Sequence, residues 1–250
     1  MPAYLVTVEF RLPSRVVSSI VTRLVFVHGS VGNAESTWME QRSLGERFEL
    51  VFLTRGGYPP GPALERIDFD EQAGEVAEEL REGDHLVGHS YGGVVSLLAA
   101  ARKPVLGSLT VSEPPAFAVA RGNPAVEEFM SHFDQPLPDN PRDRLAFFLP
   151  LVGSAMQLPD PLPPTLEQGA RAQMVERSPH EAVIPLEELG AAPFPKLVVS
   201  GAHSAAFDAV CDVLVTELGA ERVVLPGAGH SLPRAPGYNE TLVSFVQRAS

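Results

Sequence analysis

Leu86-Val87-Gly88-His89-Ser90-Tyr91-Gly92-Gly93 is a short apolar strand running into Gly-x-Ser-x-Gly, and a helix-forming stretch, residues 94–101, follows at once. The order is strand, tight turn, helix. On so sharp a turn a serine takes strained backbone angles and its hydroxyl stands clear of the strand end. Gly88 and Gly92 omit the Cβ atoms that would collide where strand and helix come close. Ser90 is thereby presented as a nucleophile, and the Tyr91 backbone N–H, at the start of the helix, is aimed at any oxyanion formed beside it. Gly-x-Ser-x-Gly alone is common by chance; the strand before it and the helix after it give it weight.

Working back from this turn, residues 24–27 are a continuous apolar run, as expected of a central parallel strand covered on both faces. The run ends in His28-Gly29-Ser30-Val31-Gly32, where glycines let the backbone turn tightly and expose N–H groups. Ser30 is the candidate for a second oxyanion donor, with Val31 in reserve, and His28 reads as a packed structural histidine. Residues 4–12 alternate apolar and polar as a half-exposed edge strand does, and Pro13 ends it. Residues 16–21 form either a further strand or an arm. Ser36 or Thr37 can cap a helix holding Trp38 and Leu44, and residues 48–53 are another buried strand. Asp70 opens a helix whose Ala73, Val76, Ala77 and Leu80 recur at helical spacing, with Glu71, Glu75, Glu78 and Glu79 as a solvated face. No His or Cys joins those acids, so no metal site is expected there.

Working forward, residues 106–111 form a strand ending in Ser112-Glu113-Pro114-Pro115. Between 117 and 195 the pattern changes to helical pieces (126–133, 143–151, 166–177) broken by prolines. Residues 117–195 are therefore predicted to be an inserted helical cap, and 1–116 with 196–250 the core. Phe129, Met130, Phe133, Phe147, Phe148, Leu151, Met156 and Met174 either line a cavity under the cap or fasten it to the core. Residues 196–201 restore the parallel-strand pattern, a helix spans 205–218, and 222–225 is the last strand. That strand leads into Pro226-Gly227-Ala228-Gly229-His230-Ser231 and an amphipathic helix over 239–248. The alternation predicts an α/β fold: a mostly parallel twisted sheet flanked by helices, with an inserted helical cap.

With 250 residues, 44% of them apolar, the chain can bury one core. A formal net charge of −12 argues against a nucleic-acid or anionic-membrane surface, because phosphate binding needs clustered Lys and Arg. Cys211 is the one cysteine, so no internal disulfide forms, and it reads as a buried apolar residue on a helix. No apolar run approaches the ~20 residues of a membrane span. The start of the chain carries Glu9 and Arg11 within its apolar alternation, so no signal peptide is expected. The expectation is a cytoplasmic protein with a small-molecule substrate and no cofactor or metal; homo-oligomer formation stays open.

Three stretches in order, His28-Gly29, Gly88 to Gly92 (Gly-His-Ser-Tyr-Gly) and Gly227 to His230 (Gly-x-Gly-His), make the chain resemble the α/β-hydrolase family over nearly its whole length. The resemblance implies Ser90 as nucleophile, His230 as base, and the Ser30 and Tyr91 N–H groups as the oxyanion hole. Serine at its free pKa is a weak nucleophile and needs a base within hydrogen-bond reach, which histidine supplies near neutral pH. Among the seven histidines, His230 alone combines strand-end position, glycine context and C-terminal order. His85, His132 and His180 read as surface or packing residues, His89 as the filler of the turn's variable position, and His203 as a surface-loop residue.

The third triad member departs from the family pattern. Family members most often carry an Asp three residues after the glycine that ends the penultimate strand, and here Gly201 puts Ser204 there. A hydroxyl cannot stabilise an imidazolium as a carboxylate does. Glu113, directly after the preceding strand and stiffened by Pro114-Pro115, is one replacement. Asp208 is the other, and a dyad or water-bridged arrangement a third. The expected function is a carboxylesterase-like serine hydrolase acting on an ester, thioester or lactone of a small to medium apolar substrate through an acyl-enzyme. C–C bond hydrolysis, lyase or cofactor-free perhydrolase chemistry at the same site, or a non-catalytic ligand-binding role, are the alternatives.

Overall fold

Strands and helices alternate along the chain in the computed structural model, which describes residues 6–10, 22–154 and 156–249. The strands are β1 (Val6–Phe10), β2 (Arg23–Val27), β3 (Glu49–Thr54), β4 (His85–His89), β5 (Ser108–Ser112), β6 (Lys196–Ser200) and β7 (Glu221–Val224). They form one sheet in the order β1-β3-β2-β4-β5-β6-β7. Every neighbouring pair is parallel except β1 with β3, which is antiparallel. The predicted edge strand over 4–12 is thus an edge strand in its described part. The predicted strand or arm at 16–21 lies outside the described residues.

The helices are α1 (Ala34–Thr37), α2 (Phe69–Glu79), α3 (Tyr91–Arg102), α4 (Pro124–Ser131), α5 (Pro141–Leu151), α6 (Pro164–Met174), α7 (Leu186–Ala191), α8 (Ala205–Leu218) and α9 (Tyr238–Ala249). Side chains alternate across each strand and feed two cores. Val25, Val27, Val51, Leu53, Leu86, Val111 and Val198 pack on α2, α3 and α8. Leu24, Phe26, Phe52, Val87, Leu197 and Val199 pack on Trp38 and on Leu242, Phe245 and Val246 of α9. Because both faces are covered, the middle of β2, β3 and β6 is a continuous apolar run, while β5 also buries Ser108, Thr110 and Ser112. Phe26 alone, fully buried with its ring 5.0 Å from that of Trp38, contributes about 1.5–3 kcal/mol by leaving water.

Several helix starts differ from expectation, each because a side-chain cap one turn earlier prevails. Asp68, not Asp70, caps α2, accepting from the N–H groups of Asp70 and Glu71. Asn33, not Ser36 or Thr37, caps α1, and Trp38 and Leu44 follow it outside that helix. Asn123 and Asn140 cap α4 and α5 with proline at the first helical position, so both begin two residues before their apolar periodicity does.

Residues between β5 and β6 hold α4 to α7. Of these, α7 sits in the helix layer, with Leu189 and the following Phe194 in the same core as α3 and α8. Helix α6 instead rests on the loop after β2. A Cβ on Gly169 would lie 1.9 Å from the Val31 carbonyl oxygen, so only glycine lets α6 approach so closely. Among the described residues, no helix is long and apolar enough to cross a membrane.

Candidate active site

Ser90 sits between β4 and α3 at φ 53° and ψ −128°, a strained conformation for a residue with a side chain. Its N–H donates to the Ser112 carbonyl at the end of β5 (2.9 Å), and its carbonyl accepts from Gly93 (2.7 Å). The turn needs its glycines. A Cβ at Gly92 would meet the carbonyl oxygens of Val27 and His28 at 2.3 Å, and one at Gly29 would meet Ser90 Cβ at 2.8 Å. The loop after β2 therefore lies directly against the serine.

Loops at the ends of β5 and β7 bring two further groups to it. Ser90 Oγ lies 2.8 Å from His230 Nε2, and His230 Nδ1 lies 2.7 Å from Glu113 Oε2. A carboxylate only accepts, so Nδ1 carries the proton and Nε2 is left to accept from the serine hydroxyl. Glu113 is fully buried. Burial alone would push its pKa up; contacts with His203 and His230 and the Gly201 N–H, 2.6 Å from Oε1, outweigh that and hold it at about 2. Of the two candidate acids, the structure brings Glu113 to His230. Asp208 stays in the first turn of α8 and pairs with Arg222 (2.9 Å).

His203, expected on a surface loop, lies instead against Glu113. Its Nδ1 is 3.2 Å from Glu113 Oε1, within ion-pair range though not aligned as a hydrogen bond. Its Nε2 is 3.0 Å from the Val152 carbonyl. Both neighbours only accept, and the Glu113 contact, opposed by burial, raises the His203 pKa. The imidazolium is the form that suits both neighbours. His89 does more than fill the turn: its Nε2–H donates to the His230 carbonyl (2.8 Å), while burial, then the nearby His230, lower its pKa to about 3 and keep it neutral. His28 is a buried structural residue, its Nδ1–H donating to the Gly29 carbonyl and its Nε2 accepting from the Arg55 N–H. His85 packs on Ser108, His132 bonds carbonyls of its own helix, and His180 bonds Ser178.

Tyr91 is the first residue of α3, where an N–H has no acceptor within the helix. Ser30 lies in the loop against Ser90. Its hydroxyl donates to Glu176 Oε2 (2.5 Å), and Glu176 Oε1 accepts from Arg55 (2.6 Å) and Tyr58 (2.7 Å). Arg55, fully buried, also donates to the carbonyls of His28 (2.9 Å) and Gly29 (3.0 Å). The pair clamps the Ser30 loop from both sides. Neither residue stood out in the sequence.

Two cavities meet at Ser90, sharing Ser30, Phe148 and Val152 in their walls. The outer one, an open groove of about 750 Å³, is walled by His230, Ser231, Met39, Met156 and Leu166. The inner one, of about 300 Å³, is walled by Tyr91, Phe117, Phe129, Met130, Phe133, Met174 and Phe207. Of the expected lining residues, Phe147 and Leu151 line neither; the Phe147 ring stacks edge-on with Phe133, and Leu151 packs on the core. Donor atoms of Glu113, His203 and His230 lie within 4.8 Å of one another, a spacing a cation could use. Such an ion would have to displace the His230–Glu113 contact.

Residues 24–237 match the family described as the alpha/beta hydrolase family, and the chain belongs to it. No curated protein matches. Solved structures share the fold at low identity. One, from work on carboxylesterases of the thaumarchaeon Nitrososphaera gargenis, is 16% identical, covers 98% of this chain and 94% of its own, and has a TM-score of 0.69. An alpha/beta hydrolase from Sphaerobacter thermophilus is 21% identical, with coverages of 96% and 95% and a TM-score of 0.66. A thermophilic esterase from Thermogutta terrifontis is 18% identical, with coverages of 98% and 93% and a TM-score of 0.65.

Proposed function

We propose that the protein is a carboxylesterase-like serine hydrolase that cleaves an ester, thioester or lactone through an acyl-enzyme. The observation that carries this is the unbroken hydrogen-bond path from Ser90 Oγ through His230 to the buried Glu113, opening on two cavities. Ser90 Oγ attacks the carbonyl as His230 Nε2 takes its proton, and Glu113 stabilises the imidazolium. The N–H groups of Ser30 and Tyr91 receive the oxyanion. His230 then returns the proton to the leaving alcohol, and water, activated the same way, releases the acid. The esterases among the similar structures agree with this reading. Although serine stands at position 204, His230 has a carboxylate partner in Glu113 at 2.7 Å, which favours catalysis over a purely ligand-binding role.

Proton return fixes the substrate's direction. The leaving group must lie on the side of His230, which walls the outer groove, so the acyl chain occupies the inner, Phe-rich cavity on the side of Tyr91. Purified protein is expected to release p-nitrophenol from p-nitrophenyl butanoate and hexanoate. An inert preparation of folded protein would count against the proposal.

His203 supplies a pH test. When protonated beside Glu113 it offsets part of the charge that favours protonated His230. His203→Gln keeps a donor for Val152 but never carries charge, so the acid limb of kcat/KM against pH is expected to move up by about half a unit or more. An acid limb that stays in place would show that His203 bears no charge at working pH.

A further inference from the structure

Arg144, on α5, walls the inner cavity together with Gln173, Glu176 and His180. Its Nε donates to the Pro138 carbonyl (2.9 Å), and among the described residues no carboxylate pairs with it. Other arginines away from open solvent are matched, the fully buried Arg55 by Glu176 and the partly buried Arg222 by Asp208. Gln173, in the same cavity wall, makes no side-chain hydrogen bond among the described residues, and its amide oxygen is buried without a partner. A buried amide oxygen left without a partner and a partly buried cation left unpaired are both costly unless something polar joins them. The one acid in that wall, Glu176, is already matched by Arg55, Tyr58 and Ser30, so it neither pairs with Arg144 nor leaves uncompensated negative charge. Apart from Ser30, Ser90, Ser178 and His180, the rest of the wall is aromatic and aliphatic.

From these contacts we infer that the inner cavity takes an acyl chain ending in a carboxylate, its methylenes against Phe117, Phe129 and Phe207 and its terminal anion on Arg144 and Gln173. The substrate class is then a half-ester, or equivalent thioester or lactone, of a dicarboxylic acid. The amide of Gln173 can turn to present its NH₂ to the anion. This inference rests on the acyl-enzyme reading, because proton return by His230 is what assigns the acyl chain to this cavity.

Two esters of one length separate charge from size: mono-p-nitrophenyl adipate, and its methyl diester, which caps the far carboxylate. The native enzyme is expected to favour the charged ester in kcat/KM by about tenfold or more, the usual worth of a charge-assisted hydrogen bond. In Arg144→Leu that ratio is expected to fall to about one, and in Arg144→Lys to lie between. Titration of the native protein with monomethyl adipate, read by calorimetry, is expected to show binding that weakens about tenfold in Arg144→Leu. A native preference for the neutral ester, an unchanged ratio in Arg144→Leu, or equal binding by both proteins overturns the inference. Binding that depends on Arg144 with neither ester turned over would instead refute the acyl-enzyme reading and leave the anion subsite standing.

Discussion

Ser90→Ala is expected to lower turnover of a p-nitrophenyl ester by about 10⁴-fold or more, with the fold intact. The side chain removed is small, nearly buried at 8% exposure, and its one hydrogen bond of note runs to His230 Nε2. The backbone bonds that hold the turn, Ser90 N–H to Ser112 and Gly93 N–H to Ser90, do not involve Oγ. Strain at φ 53° is shared by alanine, so stability changes little while the nucleophile disappears. Circular dichroism and a denaturation midpoint alongside the rate check that separation. Rates preserved in pure, folded variant would remove Ser90 from the chemistry.

Glu113→Gln carries the second large effect. The amide keeps the shape but loses the negative charge, and it can offer NH₂ toward His230 Nδ1, favouring the wrong tautomer. A loss of about 10³- to 10⁴-fold in kcat is expected. Asp208→Asn serves as comparison, since Asp208 faces Arg222 rather than His230, and a change within about twofold is expected. Stability should respond to pH in the same sense. The Glu113 carboxyl is held at about 2, below its ordinary value of 4.5, so its contribution is complete above pH 4.5 and is lost as pH falls toward 2. In Glu113→Gln that part of the acid loss disappears.

How far this could be read beforehand follows from where each signal lies along the chain. The turn at Ser90 and the glycine-flanked His230 are local patterns, each complete within a few residues, and both lie where expected. Glu113 or Asp208 was undecidable locally, because the choice depends on how strand ends sit side by side. Gly201, whose absent Cβ lets the Gly229 carbonyl come within 2.2 Å of where it would be, draws the His230 loop over the end of β5 and beside Glu113. The Arg55–Glu176 clamp spans 121 residues, and charged residues are expected at the surface by default, so nothing marked it. His203 meets Glu113 for a similar reason, across the gap between two strand ends. The early starts of α4 and α5 were legible as Asn-Pro pairs, a capping signal that apolar periodicity obscured.

The central claim is that His230 activates Ser90. A fluorophosphonate probe followed by peptide mass spectrometry tests it most directly: the native protein is expected to gain one phosphonyl group, on the peptide holding Ser90, and His230→Ala to be labelled at least about 100-fold more slowly. Absence of the adduct, or equal labelling rates in the two proteins, would contradict it.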